Sequence, residues 1–344
     1  MNKTNKWSLF LVLIVGISIF VYSMKGIPIK TIEDEVAELR WSWLAVAFLC
    51  MLISLFFEGL VVWTLLRKQY PKFALKDAIR VPLVEQLFNG ITPFQSGGQP
   101  AQLFALLQSG VDAGRATSNM LLKFIVFQSM IVVCFIISLM AQFHFLAAKL
   151  HVLAAFVIFG FLIHFFVITA LLMVMYWHGF TKKLVDICLH PVKKWGKHQT
   201  YQRYRTFADK KIDTFYAESL SLSGRPKILF QISILTLFQL FFYYIIPYFI
   251  LLALDVTNVD ALMVIGMHIL IVMIISLFPL PGGIGGAEFS FSVVFSTFLT
   301  HNSEVVFAMV LWRLITYYLG MVLGMGALIV KPRMVQERQE FKHK

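Results

Sequence analysis

The chain has 344 residues, of which 59% are hydrophobic and only 14% are charged, and its mean hydropathy is +0.78. Soluble domains carry about 25% charged residues, so the composition excludes a water-soluble globular protein. The apolar runs are long and unbroken, whereas a membrane β-barrel shows alternating segments of about ten residues. The composition therefore predicts an all-α membrane protein.

The net charge of +12 raises the question of a nucleic-acid partner. The Lys and Arg residues cluster in loops between apolar runs, which is the positive-inside pattern of membrane proteins, so no nucleic-acid partner is predicted. The three cysteines form no CxxC motif and lie at no ligand spacing from a histidine. We therefore expect no metal and no cofactor.

A membrane-spanning helix needs roughly 20 apolar residues. The run 7–24 has no small-residue cleavage site after it and is interpreted as an uncleaved signal anchor. About eight transmembrane helices are predicted, and the candidate spans are 7–24, 41–66, 118–141, 151–177, 228–254, 261–279 and 305–330. The sequence leaves open whether 261–300 is a full span followed by a helix or a second re-entrant pair.

The basic loops predict the orientation. The loops 67–80 and 178–227 are rich in Lys and Arg, whereas 25–40 and 255–260 are acidic. These patterns predict one polytopic membrane domain, 1–330, with cytoplasmic basic loops. They also predict a basic cytoplasmic tail, 331–344, both termini in the cytoplasm, and a bacterial-type inner membrane as the location.

The 178–227 loop also carries an apolar helical face before Pro191. This face predicts an interfacial helix lying on anionic lipid rather than a catalytic domain. Its members are Phe180, Leu184, Ile187 and Cys188.

Two apolar stretches are interrupted by Pro and Gly, at 89–102 and at 278–288. Non-helical backbone in hydrocarbon leaves unpaired N–H and C=O groups, so it persists only where it is buried in protein or lines a wet cavity. Paired interruptions in two halves of a membrane protein indicate a transport site. We therefore expect the segment 81–108 to enter the membrane and return to the same side.

The two interruptions predict an internal repeat. Placing Pro93 on Pro279 aligns Gly97 with Gly283. After each interruption a new helix is expected to begin, near Ala101 and near Ala287.

The free N–H groups of these helix starts would attract an anionic group such as a lipid phosphate. A structural alternative is that Gly allows tight helix crossing and Pro ends a helix. This alternative explains the four glycines of 282–286 poorly.

Charges within the spans cost at least about 2.5–3.5 kcal/mol at mid-membrane, so each needs a partner or a function. Arg313 is the best functional candidate, because its guanidinium can hold a phosphate bidentately; a salt bridge from Arg313 to a Glu is the alternative. Glu58 and Glu85 are interpreted as counter-ions for Arg313 and Arg80. Lys123 is predicted near the end of its span, where it would extend to the interface.

Polar and glycine residues of the two interruptions complete the candidate site. The amides of the first interruption could bond a head group or equally satisfy the freed backbone. No catalytic residue is predicted, since no nucleophile or acid–base cluster is evident. The predicted substrate-binding residues are Gly97, Gly98, Gln99, Gln102, Glu58, Gly282, Gly283, Gly285, Gly286, Glu288 and Arg313.

These motifs resemble those of a known family. The Pro-x-Pro-Gly-Gly-Ile-Gly-Gly-Ala-Glu run of 279–288 is similar to the signature of the flippase-like integral membrane family, also called the lysylphosphatidylglycerol synthase transmembrane region. The stretch 312–320, Trp-Arg-Leu-x-x-Tyr-Tyr-Leu-Gly, resembles its last-helix pattern, and Gly-Gly-Gln-Pro at 97–100 its first-half motif. The resemblance covers roughly 7–330.

The resemblance implies movement of a phosphate-bearing phospholipid, with or without an aminoacyl group, or of a related lipid between leaflets. The expected partner is the anionic or zwitterionic head group of this lipid. In two-part members a separate cytoplasmic domain makes the lipid from aminoacyl-tRNA. Only 14 residues follow Val330, so we expect no synthase domain and do not transfer lysyltransferase activity to this chain. The alternatives are a membrane-embedded lipid-modifying transferase and a small-solute secondary transporter.

Overall fold

The computed structural model describes residues 36–149, 151–177 and 226–330, with isolated positions between 178 and 225 and Pro332. Every regular element in these ranges is helical, which confirms the all-α prediction. The predicted first span, most of the predicted interfacial loop and nearly all of the tail lie outside the described residues.

The described helices are labelled α1 to α11 in chain order. Short 3-10 turns interrupt the chain at Pro93–Gln95 and Pro281–Gly283, and a π-helical segment, Leu314–Tyr318, joins α10 to α11. The helices are α1 Trp41–Leu66, α2 Leu75–Ile91, α3 Gly98–Gln108, α4 Ala113–Lys149, α5 His151–Tyr176, α6 Pro226–Tyr244, α7 Ile246–Ala253, α8 Ala261–Ile275, α9 Gly286–Phe295, α10 Asn302–Arg313 and α11 Leu319–Ile329.

Five stretches of the described chain are long and apolar enough to cross a membrane. They are Trp41–Leu66, Ala113–Gln142, Ala155–Tyr176, Pro226–Ala253 and Asn302–Ile329. The predicted span 261–279 is instead the 15-residue helix α8. Of the two interpretations left open for 261–300, the structure therefore has a short helix, a turn and a second short helix.

The buried apolar residues form two separate cores. Core A includes Leu55 of α1 and the inner faces of α8 and α9, and core B includes Val61 of α1 and the inner faces of α2 and α3. Three stretches run from core A to core B in chain order: α1, α5 and α10–α11. The other two, α4 and α6, run from core B to core A. Each of the five long stretches thus traverses both cores.

The two interrupted segments are hairpins on opposite sides of the molecule. The first hairpin, α2 and α3, contributes its core residues to core B. The second hairpin, α8 and α9, contributes its core residues to core A. The turns at the tips of the two hairpins pack against each other between the cores. Each hairpin therefore begins and ends beside the same core and has its tip between the two cores.

Each half has a span, an interrupted hairpin and a second span in that order, and α5 lies between the two sets. The turns give the register in which the two sets align. Both turns begin at a proline, and the next two residues have positive φ, 51° and 54° at Phe94 and Gln95 and 64° at both Gly282 and Gly283. The equivalent prolines are therefore Pro93 and Pro281.

The predicted alignment on Pro279 is two residues out of register. The following helices begin at Gly98 and Gly286, earlier than the predicted starts near Ala101 and Ala287. Since α1 and α6 run in opposite directions between the cores, the halves are inverted relative to each other.

A layer of polar side chains separates the cores. Each crossing carries a buried polar residue where it leaves one core for the other. These residues are Glu58 in α1, Gln128 in α4, His164 in α5, Gln239 in α6 and Thr316 after α10.

Two glycines of α11 provide a matched test of this packing. A Cβ at Gly324 would overlap the backbone carbonyl of Leu83 and the side chain of Leu87 in α2, whereas a Cβ at Gly326 would meet open space. Overpacking costs about 1–3 kcal/mol. Gly324→Ala is therefore expected to lower the apparent unfolding temperature in detergent by several degrees, and Gly326→Ala to leave it unchanged or higher. Equal effects would contradict the α2–α11 contact.

Candidate functional site

A cavity of about 590 Å³ lies between the two cores, where the two turns meet. Both turns contribute to its wall, through Ser96 of the first and Gly282 and Gly283 of the second. Its polar lining includes Glu58, Glu85, Gln99, Lys123, Arg313 and Tyr317. The interrupted backbone therefore lines a polar cavity, the condition under which such backbone is tolerated at membrane depth.

One side of the cavity carries a cluster centred on Lys123. Its Nζ donates to Glu58 Oε1 at 2.5 Å, to Gln102 Oε1 at 2.9 Å and to Glu85 Oε2 at 3.0 Å. Gln99 Nε2 lies 3.4 Å from the second oxygen of Glu85. An ammonium has three donors, so all three are used by these buried oxygens.

The predicted partners of these charges were wrong. Lys123 does not extend to an interface, because α4 begins at Ala113, earlier than predicted, and places Lys123 about three turns inside the helix. Glu58 and Glu85 pair with Lys123 and not with Arg313 and Arg80.

Arg80 instead donates to backbone and amide oxygens. Its Nε lies 2.9 Å from the carbonyl oxygen of Ala327, and its Nη2 lies 2.5 Å from Gln108 Oε1. Arg80 therefore ties α2 to α3 and α11.

Arg313 forms the second charged cluster. Its Nε and Nη2 donate to Glu288 Oε1 at 3.1 and 2.9 Å, and its Nη1 donates to the carbonyl oxygen of Gly282 at 2.9 Å. The salt bridge that the sequence left as an alternative is thus present. In this conformation the Nε–Nη2 edge, which would hold a phosphate bidentately, faces a carboxylate of the protein.

The same cluster also satisfies a free N–H group at the start of α9. Gly285 has a φ of 83°, and its N–H donates to Glu288 Oε2 at 2.6 Å. The helix start expected to attract an anionic ligand therefore already has a carboxylate of its own chain. An incoming anion would compete with Glu288 for both the helix start and Arg313.

Tyr317 connects the second cluster to the first hairpin. Its hydroxyl donates to the carbonyl oxygen of Gly90, in the last turn of α2, at 2.7 Å. Its ring faces the guanidinium of Arg313, with 5.3 Å between the ring centroid and Cζ. A side chain at Gly282 would overlap the Tyr317 ring. Gly282 is therefore required both for its positive φ and for the space it leaves.

The polar residues of the first interruption divide between two roles. Thr92 Oγ1 donates to the carbonyl of Phe88 at 2.6 Å and accepts from the N–H of Gly97 at 2.8 Å, and Ser96 Oγ donates to the carbonyl of Pro93 at 2.8 Å. These hydroxyls satisfy the freed backbone. The amides Gln99 and Gln102 contact the Lys123 cluster instead.

The remaining predicted glycines allow close packing. A side chain at Gly98 would overlap the amide of Asn89, and one at Gly286 would overlap the ring of Phe278. The structure thus brings the predicted residues into one region between the cores, in two clusters.

Sequence reasoning overlooked Lys123 and Tyr317 as part of this region. The repeat could have indicated Lys123. The spans that follow the two hairpins start at Ala113 and Asn302, and Lys123 and Arg313 each lie about three turns after these starts.

The described residues contain no group of three or more His, Cys, Asp or Glu that could hold a metal ion.

Two comparisons with known proteins agree with this architecture. The chain is 27% identical over 306 residues to a UPF0104 membrane protein of Archaeoglobus fulgidus, an alignment that covers 84% of this chain and 88% of the relative. The family model described as the lysylphosphatidylglycerol synthase TM region matches residues 9–324. The protein is a multi-pass membrane protein that belongs to the lysylphosphatidylglycerol synthase transmembrane region family.

Proposed function

We propose that this protein moves a phosphate-bearing phospholipid, with or without an aminoacyl group, or a related lipid between membrane leaflets. The charged cavity between the two cores carries the proposal, because it offers a polar site midway between the two ends of the spans. A polar head group needs such a site to pass through hydrocarbon, where an unpaired polar group costs several kcal/mol.

In this proposal Arg313 receives the head-group phosphate. The phosphate displaces Glu288 from the Nε–Nη2 edge, since both are anions that fit a guanidinium bidentately. The released Glu288, or the Lys123 cluster across the cavity, then faces any amine on the head group. Arg313 and Glu288 thus act as an exchangeable ion pair and not as an open ligand site.

The acyl chains would remain in the bilayer beside α5. Only 11% of the apolar stretch of α5 is buried, and its residues Ile163 and Val167 line the cavity next to His164. A thin apolar wall of this kind suits a lipid, whose head group enters sideways while its tails stay in hydrocarbon. A small solute would be better served by a cavity closed on all sides.

Alternation between leaflets would come from the inverted halves rocking against each other around the two turns. In this proposal core B faces the cytoplasm, because α1 ends in core B and is followed by the basic 67–80 loop. The inner membrane as the location and the cytoplasmic termini belong to the same proposal.

Leaflet-specific transport tests the proposal directly. Purified protein in liposomes is expected to move a fluorescent phosphatidylglycerol analogue into the leaflet that a membrane-impermeant quencher cannot reach, faster than protein-free liposomes do. Recovery of the labelled lipid chemically unchanged would separate movement from lipid modification. Transbilayer movement no faster than in protein-free liposomes would contradict the proposal.

Paired substitutions separate the role of Arg313 in transport from its role in folding. Arg313→Ala leaves the half-buried Glu288 without its cation and the Gly282 carbonyl without its donor, so a loss of stability would obscure an effect on transport. The double variant Arg313→Gln, Glu288→Gln removes both charges, keeps an amide donor for the Gly282 carbonyl and keeps an acceptor for the N–H of Gly285. We expect this double variant to unfold close to the wild-type temperature but to move lipid at least tenfold more slowly.

The double variant should also retain less phospholipid through purification, as measured by mass spectrometry. Wild-type transport and lipid retention in a folded double variant would show that Arg313 only fixes the second turn.

A further inference from the structure

The Lys123 cluster carries an imbalance of charge. Two carboxylates, Glu58 and Glu85, contact one ammonium, so the cluster has a formal charge of −1 when both are ionised. Since both carboxylate oxygens contact the same nitrogen, they lie within about two hydrogen-bond lengths of each other. All three side chains are buried between the cores.

The described groups around the cluster do not supply a second cation. The guanidinium of Arg313 is neutralised by Glu288, and that of Arg80 points to Gln108 and the Ala327 carbonyl. Other titratable groups on the packed elements are hydroxyls, one imidazole and one carboxylate, and none of these described groups forms an ion pair with Glu58 or Glu85. They are Tyr243 and Tyr244 of α6, Tyr248 of α7, His164 of α5, Tyr317 of the π segment, and Asp77 at the start of α2.

An excess negative charge in this position is costly. A lone ionised carboxylate is destabilised by removal from water, and two like charges in one site repel each other strongly. A bound proton removes both costs. Both carboxylates line the cavity, and the side chain of Glu85 is the more exposed of the two, at 10% against 7% for Glu58, so Glu85 is better placed to exchange the proton with water in the cavity.

We propose that Glu85 binds and releases one proton, and that lipid movement through the adjacent cavity is coupled to this proton. The carboxylate takes a proton from water that reaches the cavity on one side and returns it to water on the other, so only an O–H bond forms and breaks. The coupling rests on the proposed lipid transport, whereas proton binding by Glu85 does not.

The coupling follows from like charges in one cavity. A phosphate that displaces Glu288 from Arg313 brings negative charge into the cavity that Glu58 and Glu85 also line. Like charges in one site repel each other, so protonation of Glu85 becomes more favourable when the anionic head group binds. By linkage, a bound proton favours head-group binding to the same extent.

Infrared spectroscopy tests proton binding without any lipid assay. Wild-type protein at neutral pH is expected to show the C=O stretch of one protonated carboxylic acid, and Glu85→Gln to lack it. Glu58→Gln balances the charge of the cluster, so Glu85 should ionise and the band should disappear there too. Absence of the band in wild type, or its persistence in either variant, would overturn the proposal.

A pH gradient across liposomes tests the coupling. At one proton per lipid, a gradient of one pH unit should shift the leaflet distribution of the labelled phosphatidylglycerol about tenfold. The shift should vanish in Glu85→Gln and persist in the control Asp255→Asn. Asp255 is an exposed partner of Arg40 with a φ of 63°, a conformation that Asn tolerates.

The outcomes separate the two proposals. A wild-type distribution that ignores the gradient, or a shift that follows a sodium gradient instead, would overturn proton coupling while leaving lipid transport intact. Absence of lipid movement with the infrared band present would overturn the proposed transport and the coupling, but not proton binding by Glu85.

Discussion

The non-helical backbone between the two cores is the constraint on which this structure depends. In hydrocarbon its N–H and C=O groups need partners, and the chain supplies them from several elements at once. Arg313 holds the Gly282 carbonyl, Glu288 holds the Gly285 N–H, and Tyr317 holds the Gly90 carbonyl of the opposite hairpin. The last span therefore fixes both turns, and the cavity exists because these bonds keep the turns in contact without filling the space beside them.

The similar arrangement of the two halves places charges in pairs around that space. Each half places one cation on the span that follows its hairpin, and each cation binds an oxygen from that hairpin, Gln102 for Lys123 and Gly282 for Arg313. The halves differ in their acids. Arg313 has one carboxylate, whereas Lys123 has two. This asymmetry gives one cluster a neutral ion pair suited to exchange with a phosphate and the other an excess charge suited to a proton.

Much of the fold was predictable from sequence, because membrane helices are specified by length and hydropathy. The span 41–66 matches α1, and the pair of interruptions indicated where the cavity would form. The partners of the charges were not predictable. The register of the repeat depends on φ angles at Phe94 and Gln95, residues whose types do not indicate positive φ. The role of Lys123 depended on α4 beginning five residues early, and helix starts are the least certain feature of a sequence pattern.

The packing of the first hairpin also constrains how the protein is made. The helix α2 packs against α1, α3 and α11, and α11 is the last described helix of the chain. Until α11 has been synthesised, the Gly90 carbonyl and the α2 surface at Leu83 and Leu87 lack the contacts found in the finished molecule. The first hairpin therefore completes its packing only after the final span has been synthesised, so its assembly is late although its sequence comes early.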